Sequence, residues 1–242
     1  MNKNKKIGIT VAVIIIIVAV AAAGIYAYLR HQQVEQYNAV MTEVEMINDI
    51  TGQEYTGNID REELNSLLER RVADGKYGQV EDAFKSYMSD LYTIVYDTTD
   101  TAKNSSVSSF LTAENIEKDG PSFETSKETA DSVITKLQGY KESYNNMVNA
   151  DAVSSYAQRA GLEGKYLDLY NKILSAHSAS DSSESNKFTA SIDSTVSKLT
   201  AAKEAMDFLS SHQDSWNLKD GKIAFTSEEV YKEFTEIESK LQ

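Results

Sequence analysis

The sequence predicts an all-α protein, with a single N-terminal transmembrane helix followed by an antiparallel helical bundle and a small β-hairpin near residues 216–225. Three observations support this fold class. Residues 7–29 form an uninterrupted, almost wholly apolar run. Farther along, apolar residues recur every three or four positions, as they do on one face of an α-helix. Around Asp220-Gly221 the pattern changes to alternation, which is typical of two strands joined by a tight turn.

The apolar run is the first element, and its length predicts a membrane anchor. About 20 apolar residues in a helix span the hydrocarbon of a bilayer. Lys3, Lys5 and Lys6 precede the run, whereas only Arg30 and His31 follow it closely. The positive-inside rule therefore predicts a cytoplasmic tail at 1–6, a transmembrane anchor at 7–29 and an extracytoplasmic helical domain at 30–242. The predicted localisation is the cell membrane, as a single-pass protein.

A cleaved secretory signal is the alternative interpretation of the same run. Ala21-Ala22-Ala23 offers small residues at a plausible cleavage site. The apolar run continues beyond Ala23, a length more typical of an uncleaved anchor. Both interpretations place the domain outside the cell, and they differ only in whether it stays tethered.

From Arg30 onward the spacing predicts a series of helices. The first continues the anchor outward, and a break at 52–57 ends it. Asp60 caps a short second helix, with Glu63 at the third helical position. A third helix follows Asp74-Gly75, and residues 97–109 are predicted to contain its end and a loop because they are rich in Thr, Ser and Asp.

Two longer helices show a seven-residue repeat. Ser122 is predicted to cap the first of them, and a short helix near 152–159 and another at 162–176 come before the second. Residues 178–186 are predicted to be a flexible connector because of their Ser, Asp, Glu and Asn content. Each repeat lasts only three to four heptads, which favours an intrachain bundle over an intermolecular coiled coil. The repeat predicts two inward-facing columns on each of these helices. On the first helix they are Phe123, Ala130, Leu137 and Tyr144, and Val133, Tyr140 and Met147. On the second they are Phe188, Thr195, Ala202 and Leu209, and Ile192, Leu199 and Met206.

The last elements are the hairpin and a final helix. Trp216, Leu218, Ile223 and Phe225 flank the turn residues 219–222. Residues 226–229 are typical of a capped helix start. The apolar face of this helix is predicted to run from Val230 to Leu241.

Composition excludes several classes of protein. The 242 residues include no cysteine, which excludes disulfide scaffolds, Cys-ligated zinc sites and acylated lipoprotein N-termini. Residues 1–29 hold three of the 24 basic residues and no acid, so the rest carries 21 − 37 = −16 formal charges. Such an acidic surface repels nucleic acid and favours basic or neutral protein partners.

No catalytic motif emerges from the spacing of chemically active residues. His31, His177 and His212 have no metal-ligand spacing, and the nucleophile motif Gly-x-Ser-x-Gly is absent. The segment 161–166 lacks the spacer and the Ser or Thr of a phosphate loop. Residues 214–221 resemble a calcium loop, but aligning Gly221 with its glycine puts Trp216 where the first aspartate is required. Asp97, Asp100 and Glu62-Glu63 are carboxylates that helices normally expose to solvent.

The sequence therefore predicts no catalytic, cofactor-binding or metal-ligating residues, and no cofactor. We expect an interaction or scaffold module of the cell envelope that is anchored in the membrane and binds a protein partner. The alternative is an exported enzyme or small-ligand-binding domain whose site is assembled from dispersed residues. A polar cleft that gathers carboxylates with His177 or His212 would favour chemistry, whereas an exposed apolar patch would favour a protein partner.

Overall fold

The computed structural model describes the backbone of residues 3–52, 60–105 and 107–241; the side chains of 3–25 and 176–185 lie outside this description. Eight α-helices and one two-stranded sheet occupy the described chain, with three short 3-10 turns at Val107–Ser109, Gln213–Ser215 and Ser239–Leu241. In chain order the elements are α1 (Lys3–Gly52), α2 (Arg61–Glu69), α3 (Gly75–Lys103), α4 (Ala113–Asp119), α5 (Glu124–Met147), α6 (Ala150–Arg159), α7 (Lys165–Ser211), β1 (Trp216–Lys219), β2 (Lys222–Phe225) and α8 (Glu228–Glu238).

The helical bundle predicted from the sequence is confirmed. Its centre is formed by α3, α5 and α7, which pack against one another, while α1, α2 and α6 pack against α3. The ion pairs Lys127–Asp207, Lys203–Asp131 and Lys141–Asp193 show that α5 and α7 are antiparallel, because their residue numbers run in opposite directions. The leading column of the α5 heptads is buried throughout: Phe123, Ala130, Leu137 and Tyr144.

The starts of the helices were predicted with mixed success. Asp60 caps α2 as expected, since its carboxylate accepts a hydrogen bond from the Glu63 N–H at 3.0 Å. The prediction that Ser122 caps α5 is wrong. The helix begins after Phe123, whose φ is 53°, and the Asp119 carboxylate accepts hydrogen bonds from the N–H groups of Thr125 and Ser126. A side chain from the end of α4 therefore replaces the local cap. Helix α3 ends at Lys103, within the segment 97–109 that was predicted to contain its end.

Residues 178–186, predicted to be a flexible connector between two helices, are helical in the structure. The two helices expected on either side of them form one element, the 47-residue α7. Both ends of α7 are fixed in the bundle by buried side chains, among them Tyr170 and Ile173 before the stretch and Ile192 and Leu199 after it. Because packing holds both ends, polar composition between them does not end the helix.

The predicted β-hairpin is confirmed. Strands β1 and β2 pair antiparallel, with Trp216 opposite Phe225 and Lys219 opposite Lys222. Asp220 and Gly221 both have positive φ, at 50° and 72°, as a two-residue turn of this hand requires. The Trp216 indole donates a hydrogen bond to the Leu209 carbonyl at 2.8 Å and so holds the hairpin against the end of α7.

The structure corrects the membrane part of the fold class. Across the part of the chain that it describes, no helix combines the length and the apolar character needed to cross a membrane. The described side chains of α1 begin at Tyr26, and the polar residues Arg30, Gln32 and Gln36 come soon after Leu29, so the described side chains of this helix fall short of about 20 consecutive apolar residues. This finding contradicts the transmembrane helix at 7–29, and with it the single-pass membrane localisation and the signal-anchor interpretation. The side chains of residues 7–25 lie outside the described part.

Candidate functional site

A polar groove of about 680 Å³ lies between the segment after α2, one face of α3 and the end of α6. Its volume is in the range of small-ligand sites, about 300–1,000 Å³. Three of the five arginines in the sequence, Arg70, Arg71 and Arg159, line it. Arginine is the side chain best suited to directional recognition of oxyanions, and here it is concentrated in one place on an acidic protein.

The floor of the groove is a polar stripe on α3. Asp82, Ser86, Ser89 and Asp90 are exposed and follow a spacing of four, three and one, so they lie on one face of the helix. The opposite face of α3 carries the buried residues Phe84, Met88 and Leu91. The helix is thus amphipathic, and its packing into the core presents the serine and aspartate side chains to the groove.

A buried cluster of charges lies beneath one end of the groove. The Lys85 ammonium contacts Glu43 Oε1 and Glu81 Oε1, each at 2.8 Å, and donates to the Arg70 carbonyl. Glu43, Glu81 and Lys85 are each at most 5 % exposed. The Arg70 guanidinium donates to both oxygens of Glu43. Glu43 is on α1, Arg70 follows α2, and Glu81 and Lys85 are on α3, so the cluster connects these three helices.

Hydrogen bonds within the cluster favour the ionised forms of Glu43 and Arg70. Burial acts to raise the pKa of Glu43, but hydrogen bonds from Arg70 and Lys85 outweigh it, and the pKa is lowered. The Glu43 carboxylate in turn raises the pKa of Arg70. Glu81 also accepts hydrogen bonds from the backbone N–H groups of Val72 and Ala73, so the segment that carries Arg70 and Arg71 has a fixed course.

Arg71, at the rim of the groove, makes fewer contacts than Arg70. Its Nε donates to the Ala73 carbonyl at 2.9 Å, and its Nη2 lies 3.4 Å from Asp82 Oδ2. Both side chains of this ion pair are about half exposed, at 53 % each. An exposed pair of this kind contributes little to stability, so Arg71 and Asp82 are available to a ligand.

The far end of the groove is built around Tyr156. The Tyr156 hydroxyl donates to Asp90 Oδ2 at 2.5 Å, and its ring packs edge to face against Tyr87 at 5.5 Å between centroids. The Arg159 guanidinium lies over the same ring, 4.1 Å from its centroid. Burial, followed by the hydrogen bond to Asp90, raises the pKa of Tyr156. Tyr156 is therefore a neutral, fixed platform with a cation on its face and an anion at its hydroxyl.

The histidines considered in the sequence do not take part in this site. His31 lies on α1 with Nδ1 3.3 Å from Glu35, exposed to solvent. His212 stacks on Phe208 at 4.2 Å, and its Nδ1 lies 2.9 Å from the Phe208 carbonyl oxygen, as expected of a histidine at a helix end. The side chain of His177 lies outside the described residues.

The structure places the other candidate motifs in ordinary structural roles. Asp100 is held by two hydrogen bonds from Arg61, at 2.7 and 2.8 Å, and the pKa of Asp100 is lowered mainly by this contact. Asp220 and Gly221 form the hairpin turn. Lys165 lies near the rings of Tyr166 and Tyr77. Among the residues described, no group of three or more His, Asp or Glu side chains is arranged to hold a metal ion.

Sequence reasoning missed the groove. One signal of the groove was available in the sequence: arginine is rare, and two of the five arginines, Arg70 and Arg71, are adjacent. Nothing in the spacing links them to Arg159 or to Asp90, which come from elements far apart in the chain.

No protein-family model, curated protein or solved structure matches this chain.

Proposed function

We propose that this protein works by binding, and that its binding site is the polar groove between α2, α3 and α6. The observation that carries the proposal is the gathering of three of the five arginines, together with unburied aspartate and serine side chains, around one concavity of about 680 Å³. Natural binding sites combine a concave shape with a few oriented polar groups, as this groove does.

If the protein is an interaction module, the ligand of the groove is a short segment of a protein partner. The formal charge of −13 supports a basic or neutral partner over a strongly acidic one. The volume of the groove supports a second form, a small ligand bound directly. Both forms use the same residues, so one pair of substitutions tests them together.

The test compares three purified full-length proteins: the wild type, the double variant Arg71→Ala with Arg159→Ala, and a control variant Arg30→Ala with Lys219→Ala. The control removes two exposed cations outside the groove. Each protein is used for affinity capture from extracts of its native cells and for native mass spectrometry of co-purified small molecules. Thermal unfolding checks that all three are folded.

We expect a protein or small molecule that is retained by the wild type and by the control but lost from the groove variant, because only that variant removes the accessible cations of the groove. Equal retention by all three folded proteins would contradict the groove as the binding site. Whether the retained species is a protein or a small molecule decides between the two candidate ligands.

A further inference from the structure

Several charges of the groove already have a counter-ion. Arg70 and Lys85 are paired with Glu43 and Glu81 in the buried cluster, and the half-exposed Arg71 is paired with Asp82. Among the described residues, three charged groups of the groove remain open, without an ion pair: Arg159, Glu69 and Asp90. Asp90 contacts only the neutral hydroxyl of Tyr156. The open cation and one of the open carboxylates therefore both contact Tyr156, Arg159 at the ring and Asp90 at the hydroxyl.

Arg159 and Asp90 both have unused hydrogen-bonding capacity. The Arg159 guanidinium has five N–H donors, and its partner among the described residues is Tyr156, so donors remain for a ligand. Asp90 uses Oδ2 to accept from Tyr156, and its other oxygen remains an acceptor. The hydroxyl contact and the ring contact hold the two side chains in place before a ligand arrives, which reduces the entropy lost on binding.

From this arrangement we propose that the α6 end of the groove binds a dipolar group, with a carboxylate on Arg159 and an ammonium group on Asp90. The inference rests on the proposed function, since it assigns the ligand class of the same groove. A purely anionic ligand would place its charge near Asp90 in a groove that Glu69, at the end of α2, also lines. A purely cationic ligand would face Arg159. Only a ligand that carries both charges a few Å apart satisfies both groups.

Two sources can supply this chemistry. One is a free amino acid, in which an ammonium and a carboxylate are joined by a short carbon chain. The other is a lysine and a glutamate side chain that lie close together on a protein segment. The experiment therefore has one arm for each source.

The first arm measures the affinity of the full chain for glycine, β-alanine and γ-aminobutyrate, which differ in the distance between their charges. N-acetylglycine and glycinamide, which each keep one charge, are the reference compounds. The second arm uses a terminally capped peptide with one lysine and one glutamate, and the same peptide with either residue replaced by alanine. Binding is followed by calorimetry and by chemical shifts of the Tyr156 ring.

We expect at least one doubly charged probe to bind at least about tenfold more tightly than its singly charged counterparts, because each charge-assisted hydrogen bond contributes more than a neutral one. Arg159→Ala and Asp90→Asn should each weaken that binding by about tenfold or more. Asparagine at position 90 still offers an oxygen to Tyr156, so the platform is retained. Arg30→Ala and Asp151→Asn, at exposed positions outside the pair, are the matched controls.

The proposal is overturned if singly charged probes bind as tightly as doubly charged ones, if no probe of either arm binds, or if the controls weaken binding as much as the groove variants. Its failure is separable from that of the proposed function. Loss of a captured partner from the Arg71 and Arg159 variant, without preference for dipolar probes, would keep the groove as the binding site and reject the dipolar ligand.

Discussion

At the scale of single residues, the least expected feature is the amount of buried charge. Glu43, Glu81 and Lys85 are at most 5 % exposed, almost as fully buried as the apolar core residues of α3. Burying ions costs several kcal/mol each unless they are paired and hydrogen-bonded. Here each carboxylate oxygen has a partner from Lys85, Arg70 or a backbone N–H, so the cluster fixes how α1 sits on α3.

Glu43→Gln tests this cluster. The substitution removes one of the two carboxylates that neutralise the buried Lys85 and leaves Arg70 without its ion pair. Because Lys85 retains Glu81, we expect a loss of about 3 kcal/mol in the free energy of unfolding, at the lower end of the cost of breaking a buried pair. Urea denaturation measures it. Glu45→Gln, at an exposed position of the same helix, should change stability by less than about 0.5 kcal/mol. Equal midpoints for the two variants would show that the charges are not coupled.

The structural roles of single residues could be predicted from the sequence only in part. The helix-end role of His212 and the cap at Asp60 follow from local spacing, which is why they were predictable. The pairing of Glu43 with Lys85 spans 42 positions, and in the sequence each looks like an ordinary solvent-exposed charge. Partner identity at that separation is fixed by packing, which no local pattern encodes.

At the scale of elements, the heptad columns of α5 and α7 were predictable because hydrophobic burial dominates their placement. The columns that include Leu137 and Leu199 are buried as expected. The ends of elements were harder to predict. The sequence suggested a break at 178–186, because serine and aspartate favour caps and turns. The backbone instead continues as helix, since the packed segments on either side hold the turns between them in register.

Ser182→Pro tests the continuity of α7. Proline in the middle of a helix removes a backbone hydrogen bond and clashes with the preceding turn, at a cost of about 3 kcal/mol. We therefore expect a large drop in the thermal midpoint, measured by circular dichroism at 222 nm, with some loss of helical signal. Ser182→Ala, which favours a helix, should leave the midpoint unchanged or slightly raised. If the proline variant is as stable as the alanine variant, these residues act as a connector and not as part of one helix.

At the scale of the whole molecule, the groove depends on three segments brought together by the bundle. Arg71 follows α2, Asp90 is on α3 and Arg159 ends α6. The fold class could be predicted because helical periodicity is a local property, and the site could not, because it arises from how α2 and α6 pack on α3. The same dependence on packing means that the binding site and the global stability respond together when ionisable groups change charge.

The pH dependence of stability has a defined shape. The pKa values of Glu43, Asp100 and Asp119 are lowered in the folded protein. These carboxylates therefore stabilise the fold above about pH 4, where carboxyl groups of the unfolded chain ionise. They lose this contribution as the pH falls through their folded pKa values. Burial raises the pKa values of Tyr96, Tyr156 and Tyr170. These hydroxyls contribute fully below about pH 10, and the contribution is lost at higher pH, where the unfolded state ionises first.

We therefore expect a thermal midpoint that is nearly constant from about pH 5 to about pH 9 and falls on both sides. The formal charge of −13 acts in the opposite direction on the acid side, since protonation relieves repulsion, but about 0.15 M salt screens exposed charges beyond about 8 Å. Calorimetry from pH 3 to 11 in that salt measures the profile. Tyr170→Phe should make the alkaline fall shallower without altering the acid side, because it removes one buried hydroxyl and no carboxylate. A midpoint that rises from pH 7 to pH 3 would mean that general repulsion outweighs the paired carboxylates, and that the ion pairs around α1, α2 and α3 contribute less than their geometry implies.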